Sequence, residues 1–174
     1  MDTKTVAKAG VPHPGLLAWL SASRIDYEIH EHAVTQTARQ TARAEGVDPR
    51  TFAKVVGVRT ADGQSILLVL DATDRVDLTR ARKALGLGSV RLLTEAELTA
   101  LAPECEAGAI PAVGALFGLR TYADHAIAQD AAISFNAGTH HTSVRVDREA
   151  WEHAVGVVYC DLAEQTELAP AWAR

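Results

Sequence analysis

The run Ala53-Lys54-Val55-Val56-Gly57-Val58-Arg59-Thr60 decides the fold, together with Ser65-Ile66-Leu67-Leu68-Val69-Leu70-Asp71 after the link Ala61-Asp62-Gly63-Gln64. Both arms are rich in aliphatic and β-branched residues, and Asp-Gly favours a tight turn between antiparallel strands. The stretch predicts a β-hairpin with strands at 53–60 and 65–71. Toward the N-terminus, Tyr27–Glu31 predicts a short strand. Leu16, Leu17 and Leu20, with Trp19 beside them, predict an amphipathic helix. Between these, Thr37 with Gln40 makes a capping-box start to a helix that Gly46 ends. Toward the C-terminus, Asp77 caps a helix running to Leu85, stopped by Gly86, and Thr94-Glu-Ala-Glu97 opens a shorter one ending before Pro103. A loop punctuated by Gly and Pro spans Gly108 to Gly118. Strands follow at 120–123, 131–135 and 143–146, then a helix around Trp151 capped by Asp147, and a tail through Pro170 without strong pattern. Helices and strands do not alternate strictly enough for a doubly wound parallel sheet. The expected architecture is α+β, one domain over residues 1–174 with a mixed, curled sheet.

The composition fits that domain. Hydrophobic residues make up 48% of the 174 and charged residues 22%, which excludes a disordered or collagenous chain. With 17 Lys+Arg against 22 Asp+Glu the formal charge is −5, which argues against a protein that coats nucleic acid over its whole surface. A local basic patch remains: Arg75, Arg80, Arg82, Lys83 and Arg91 share a segment whose single acid is Asp77, a local charge of +4. Such a segment suits either a solvated helix face or a phosphate backbone. Two cysteines, Cys105 and Cys160, are too few for a disulfide scaffold and fit a reducing cytosol. The start MDTKTVAKAG has no apolar signal region, and the longest uncharged apolar run, Ala107 to Leu119, is 13 residues where a membrane span needs about 18. A cytoplasmic protein with no membrane partner is expected.

Four features carry chemistry. Lys54 shares a strand face with Val56 and Val58, where an ammonium is costly unless it reaches water or meets an anion. It is either a strand-end lysine snorkelling to solvent or a cation at a pocket mouth, for a phosphate or a developing oxyanion. The loop Gly108-Ala109-Ile110-Pro111-Ala112-Val113-Gly114 could present backbone groups to a small ligand, although such loops usually only connect elements. Asn136-Ala137-Gly138-Thr139-His140-His141 reads as a polar hairpin turn whose Gly138, Thr139 and His140 could line the same pocket as Lys54. His30 and His32, two apart on a strand, could face one metal, but no HExxH or CxxC spacing supports a metal site. Cys105 lies between Glu104 and Glu106 and makes a poor nucleophile. The absence of GxSxG, Walker and GxGxxG patterns removes the common hydrolase, nucleotidase and dinucleotide readings.

In this order the pieces resemble the YbaK/prolyl-tRNA-synthetase-associated editing domain family, the aminoacyl-tRNA deacylases. The resemblance rests on Glu31-His32 with Thr35 and Thr37, Gly46 to Val56 around Lys54, Leu70 to Leu78, Cys105 to Pro111, and Phe135 to His140. It implies a mixed, barrel-like sheet surrounded by helices. It also implies an ester hydrolase needing no cofactor or metal, whose partner is tRNA, with an aminoacyl-tRNA synthetase as a further candidate. Lys54 falls at the family's essential lysine, and Gly108 opens its GxxxP loop, so Ala109, Ile110, Pro111 and His30, with Gly138, Thr139 and His140, become candidate substrate contacts. The basic segment would meet the acceptor stem. Ala112 departs from the motif's final proline, and His30 stands where some relatives carry tyrosine. Small residues along the loop imply a small amino acid. Two other classes stay open: a module that binds tRNA or a synthetase without cleavage, and a metal-dependent hydrolase using the histidines.

Overall fold

The computed structural model describes residues 11–165. The N-terminal start and the tail around Pro170 lie outside the described residues. Helix α1 (Pro14–Ala22) is capped by His13, whose Nδ1 accepts the Leu16 N–H at 3.1 Å, and it buries Leu16 and Leu20 completely. Strand β1 (Tyr27–Glu31) precedes α2 (Ala38–Glu45), where the Thr37 hydroxyl accepts the Gln40 N–H and Gly46 ends the helix with φ +68°. The expected capping box is half closed there, because the Gln40 side chain takes the Gln36 N–H instead. Strands β2 (Ala53–Thr60) and β3 (Ser65–Asp71) form the predicted hairpin, in register from Ala53–Asp71 to Arg59–Ser65.

Helix α3 (Leu78–Ala84) and α4 (Glu95–Leu101) start at Asp77 and Thr94 as their caps require, and the Thr94–Glu97 box is complete. Between them lies β4 (Val90–Leu92), which the sequence did not announce. After the loop and a short 3-10 turn, Gly114–Phe117, come β5 (Arg120–Asp124), β6 (Ala132–Thr139), β7 (Thr142–Asp147), α5 (Arg148–Val155) and β8 (Val158–Cys160). Strand β6 is longer than expected. Asn136 to Thr139 continue the strand, and the hairpin turn is only His140-His141. A bulge between Asn136 and Thr139 absorbs the irregular residues.

The strands form two sheets, β1-β7-β6 and β4-β2-β3-β5-β8. The first is antiparallel; the second is mixed, with β5 and β8 parallel to β3. They meet where Phe52 bridges Ser134 in parallel, which gives the curled α+β architecture. The main core lies between them, built on Val69, Ala123, Phe135, Val144 and Val146 with α1 and Trp151 of α5 packed in. A second cluster, Val58, Leu68 and Leu70, is covered by Ala81 of α3 and by Leu162. No helix among the described residues is long and apolar enough to cross a membrane.

Candidate functional site

Lys54 is the second residue of β2, two positions after the Phe52–Ser134 bridge, and β2 stays in contact with β6 beyond that bridge. Side chains alternate along both strands, so the bridge register puts Lys54 and Asn136 on one face of the seam. That face is roofed by α2, since Phe52 packs on Ala38 and Ala42. Lys54 opens into a cavity of about 410 Å3 whose walls are Thr37, Ala38 and Arg39 from the start of α2 and Ala72 to Arg75 after β3. Its ammonium donates to the Asp74 carbonyl. Among the described residues no carboxylate forms an ion pair with Lys54, Arg39 or Arg75. Burial holds the lysine below its usual range; the Asp74 charge opposes this, and Arg39 and Arg75 add to it. Three cations at one cavity repel one another, and an anion placed among them relieves that repulsion. Arg39 was not a sequence candidate, because only the folding of α2 over the seam carries it to Lys54.

The loop approaches the far end of β6. Gly108 adopts φ +80°, and a β-carbon there would stand 3.5 Å from His140 Cε1, an ordinary contact. Glycine is needed for the backbone rather than for clearance. The segment is sewn to the bulge: Glu106 N–H donates to the Gly138 carbonyl and Gly138 N–H to the Ala109 carbonyl, both at 2.9 Å. His140 closes the seam, its N–H on Glu106 Oε2 at 2.8 Å and its Nε2 on the Ala107 carbonyl at 2.6 Å. Ala109, Ile110 and Pro111 are buried, and Ile110 packs with Leu67, Ala102 and Cys105. Ala112 lies in the main core, and its carbonyl accepts the Trp151 indole N–H at 2.8 Å.

Gly108 is thus exposed and His140 half-buried, while the other loop candidates face inward. Thr139 has no exposed surface and shares its hydroxyl with Thr142 at 2.8 Å, which corrects its expected role as a donor to a ligand. The expectation that Gly138, Thr139 and His140 line the Lys54 cavity is corrected too. Because β6 continues as a strand through Asn136, those residues lie farther along it, and α2 with residues 72–75 walls the cavity instead.

His30 and His32 do face one partner, but it is Glu45, a buried carboxylate on α2. Its Oε1 accepts the Ser143 hydroxyl at 2.5 Å and lies 3.4 Å from His32 Nε2, and its Oε2 is 3.9 Å from His30 Nδ1. Among the described residues no group of three or more His, Cys, Asp or Glu is arranged to hold a metal. Asn136, paired in register with Ser143, is buried, and its Oδ1 has no partner among the described residues. The alternation of Ser134 and Asn136 with apolar Ile133, Phe135 and Ala137 was the signal that could have found it.

The basic segment is divided. Arg91 is bound in a fork by Glu97 at 2.9 and 2.8 Å, and this hydrogen bonding holds the glutamate at a pKa of about 2. Arg80 lies 3.7 Å from Asp161, Lys83 and Arg82 remain on α3, and Arg75 joins the Lys54 cavity. Cys105 is unreactive mainly because it is buried, with Glu104 adding to a thiol pKa of about 12.

The model of the aminoacyl-tRNA editing domain matches residues 32–154. No curated protein matches the chain. Among solved structures, one provisionally assigned as a trans-editing enzyme for prolyl-tRNA synthetase aligns with a TM-score of 0.76 at 22% identity, covering 89% of this chain and 100% of that one. The hypothetical protein APE2540 aligns with a TM-score of 0.78 at 18% identity over 86% and 99%. A scaffold used for computational grafting of linear epitopes aligns at 0.74 and 21% over 88% and 99%. At these identities the likeness establishes the fold.

Proposed function

The chain belongs to the aminoacyl-tRNA editing domain family, and from that premise we propose that it is a trans-editing deacylase. It hydrolyses, in the cytoplasm and without metal or cofactor, the ester of a mischarged tRNA that carries a small amino acid. The observation that carries this reading is the Lys54 ammonium, half-buried and unpaired by any carboxylate among the described residues, with Arg39 and Arg75 beside it. An aminoacyl ester is already activated, so a site that binds the 3′ end, orients water and stabilises charge on the carbonyl oxygen suffices. Water oxygen bonds to the carbonyl carbon while the oxyanion faces Lys54. The bond to the ribose oxygen then breaks, and that oxygen leaves with the proton the water gave up. Gly108 and His140 border the amino-acid end, and Lys83 and Arg82 on α3 face the acceptor stem.

The test is deacylation of a panel of mischarged tRNAs by the wild type and by Lys54→Ala. Loss of one well-placed cation should cost about 10²–10³ in rate, with the melting temperature almost unchanged because the lysine is half exposed. Equal turnover by the variant overturns the role of Lys54. Wild-type protein that binds tRNA tightly and hydrolyses none of the esters is a binding module instead.

A further inference from the structure

We propose that the cavity beside Lys54 is a phosphodiester subsite, in which Arg39 and Arg75 take the phosphate joining the terminal nucleotide of the RNA to its neighbour. The inference rests on the editing reading and gives Arg39 and Arg75, which that reading only places beside Lys54, a ligand of their own. Arg39, Lys54 and Arg75 stand with one acid, Asp74, on the walls of the same cavity, and a second, Glu164, acts on Lys54 from beside Arg75, so the local charge is +1. In an aminoacyl ester the carboxyl is esterified and the amino group is cationic, so the anions that an aminoacylated 3′ end offers are its phosphates.

Among the described residues the two guanidiniums are held by little else. The Arg39 side chain has one long contact, 3.4 Å to the Thr73 carbonyl, and the Arg75 side chain has no hydrogen-bond partner among the described residues. Both are exposed at the mouth, while Lys54 lies half-buried behind them. Planar guanidiniums match phosphate oxygens in pairs, as an ammonium does not. The first turn of α2, Ala38 and Arg39, also lines this wall and adds the positive end of the helix dipole. Binding at the phosphate, away from the bond that breaks, selects esters carried on RNA over free amino-acid esters.

The test is a binding comparison that needs no turnover. Wild-type protein and the Arg39→Gln/Arg75→Gln double variant are titrated with the dinucleotide CpA, with CpA carrying a neutral methylphosphonate linkage, and with inorganic phosphate. The wild type should prefer the charged dinucleotide over the neutral one by about tenfold or more, the scale of a charge-assisted contact. The double variant should bring that preference to within about twofold, and each single variant, at an exposed position that folding tolerates, should remove part of it. A preference that survives in the variants overturns the proposal, and so does inorganic phosphate binding as tightly as CpA. Hydrolysis of aminoacyl-CpA, measured alongside, separates the two readings. No hydrolysis with the preference intact sinks the deacylase and leaves the subsite; hydrolysis with no preference does the reverse.

Discussion

At Gly108 a side chain would cost backbone strain; at Gly138 it would cost strain and a collision. Gly108 holds φ +80° with room for a β-carbon, so Gly108→Ala should lose roughly 1–2 kcal/mol of local conformational energy. The loop would relieve that strain by shifting against His140. We expect a large fall in kcat/KM with a small change in melting temperature, measured on one verified substrate. Gly138 holds φ +95°, and a β-carbon there would stand 2.9 Å from His13 Cβ. Gly138→Ala should therefore lower the melting temperature clearly more than Gly108→Ala does. Asp71 gives a pH signature. It is buried, its Oδ1 has no partner among the described residues, and burial first, then Asp130 and Asp74, raises its carboxyl to about 7. The folded chain therefore holds this proton more tightly than the unfolded chain. The contribution to stability is full below the ordinary carboxyl pKa and is lost as pH rises through about 7. Asp71→Asn should be more stable than the wild type at pH 8, with the difference fading toward pH 4. Thermal melts across that range decide it, and parallel curves would show that Asp71 is not the titrating group.

The elements were legible wherever a local rule fixed them. Asp62-Gly63 announced the β2–β3 hairpin, and Thr37, Asp77, Thr94 and Asp147 all cap helices through their side-chain oxygens as expected. What escaped were the edge strands β4 and β8, three residues each, which exist because a neighbouring strand offers its edge rather than because Val-Arg-Leu or Val-Tyr-Cys demands it. The extension of β6 escaped because Asn-Ala-Gly-Thr carries turn chemistry, which the bulge accommodates inside a strand. The basic segment belongs to this scale as well. With Arg91 held by Glu97 and Arg80 near Asp161, the cations left to meet a tRNA on α3 are Arg82 and Lys83. Replacing both by Glu should weaken tRNA binding and flatten its salt dependence, because fewer counterions are released. Hydrolysis of a minimal aminoacyl-adenosine should fall far less. Equal losses on both substrates would make α3 a structural element.

At the scale of the whole molecule, the site comes from two sheets meeting at Phe52–Ser134. Lys54 was legible as an ammonium on an apolar strand face, whereas Arg39 reaches its cavity only through the roof of α2. The same assembly bears on which amino acid fits. Ala109 and Ala112, small residues that suggested a narrow pocket, are fully buried, Ala112 within the main core. Under the proposed function, the limit on size is set by how firmly the loop is held. The loop is tied to Gly138 by two backbone bonds, to His140 through Glu106 and Ala107, and to the core through Ala112 and Trp151. A bulky side chain would have to break several of these to enlarge the space beside Gly108, so kcat/KM for alanyl, seryl and cysteinyl esters should far exceed that for phenylalanyl or tryptophanyl esters. Selection among the small ones should overlap, since discrimination per methylene-sized difference is about 10–200-fold. Trp151→Phe removes the indole tether and leaves a cavity in the core, so it should lower the melting temperature, loosen the loop and narrow the gap between small and aromatic substrates. Preferential removal of an aromatic amino acid by the wild type would show that these ties do not set the size limit.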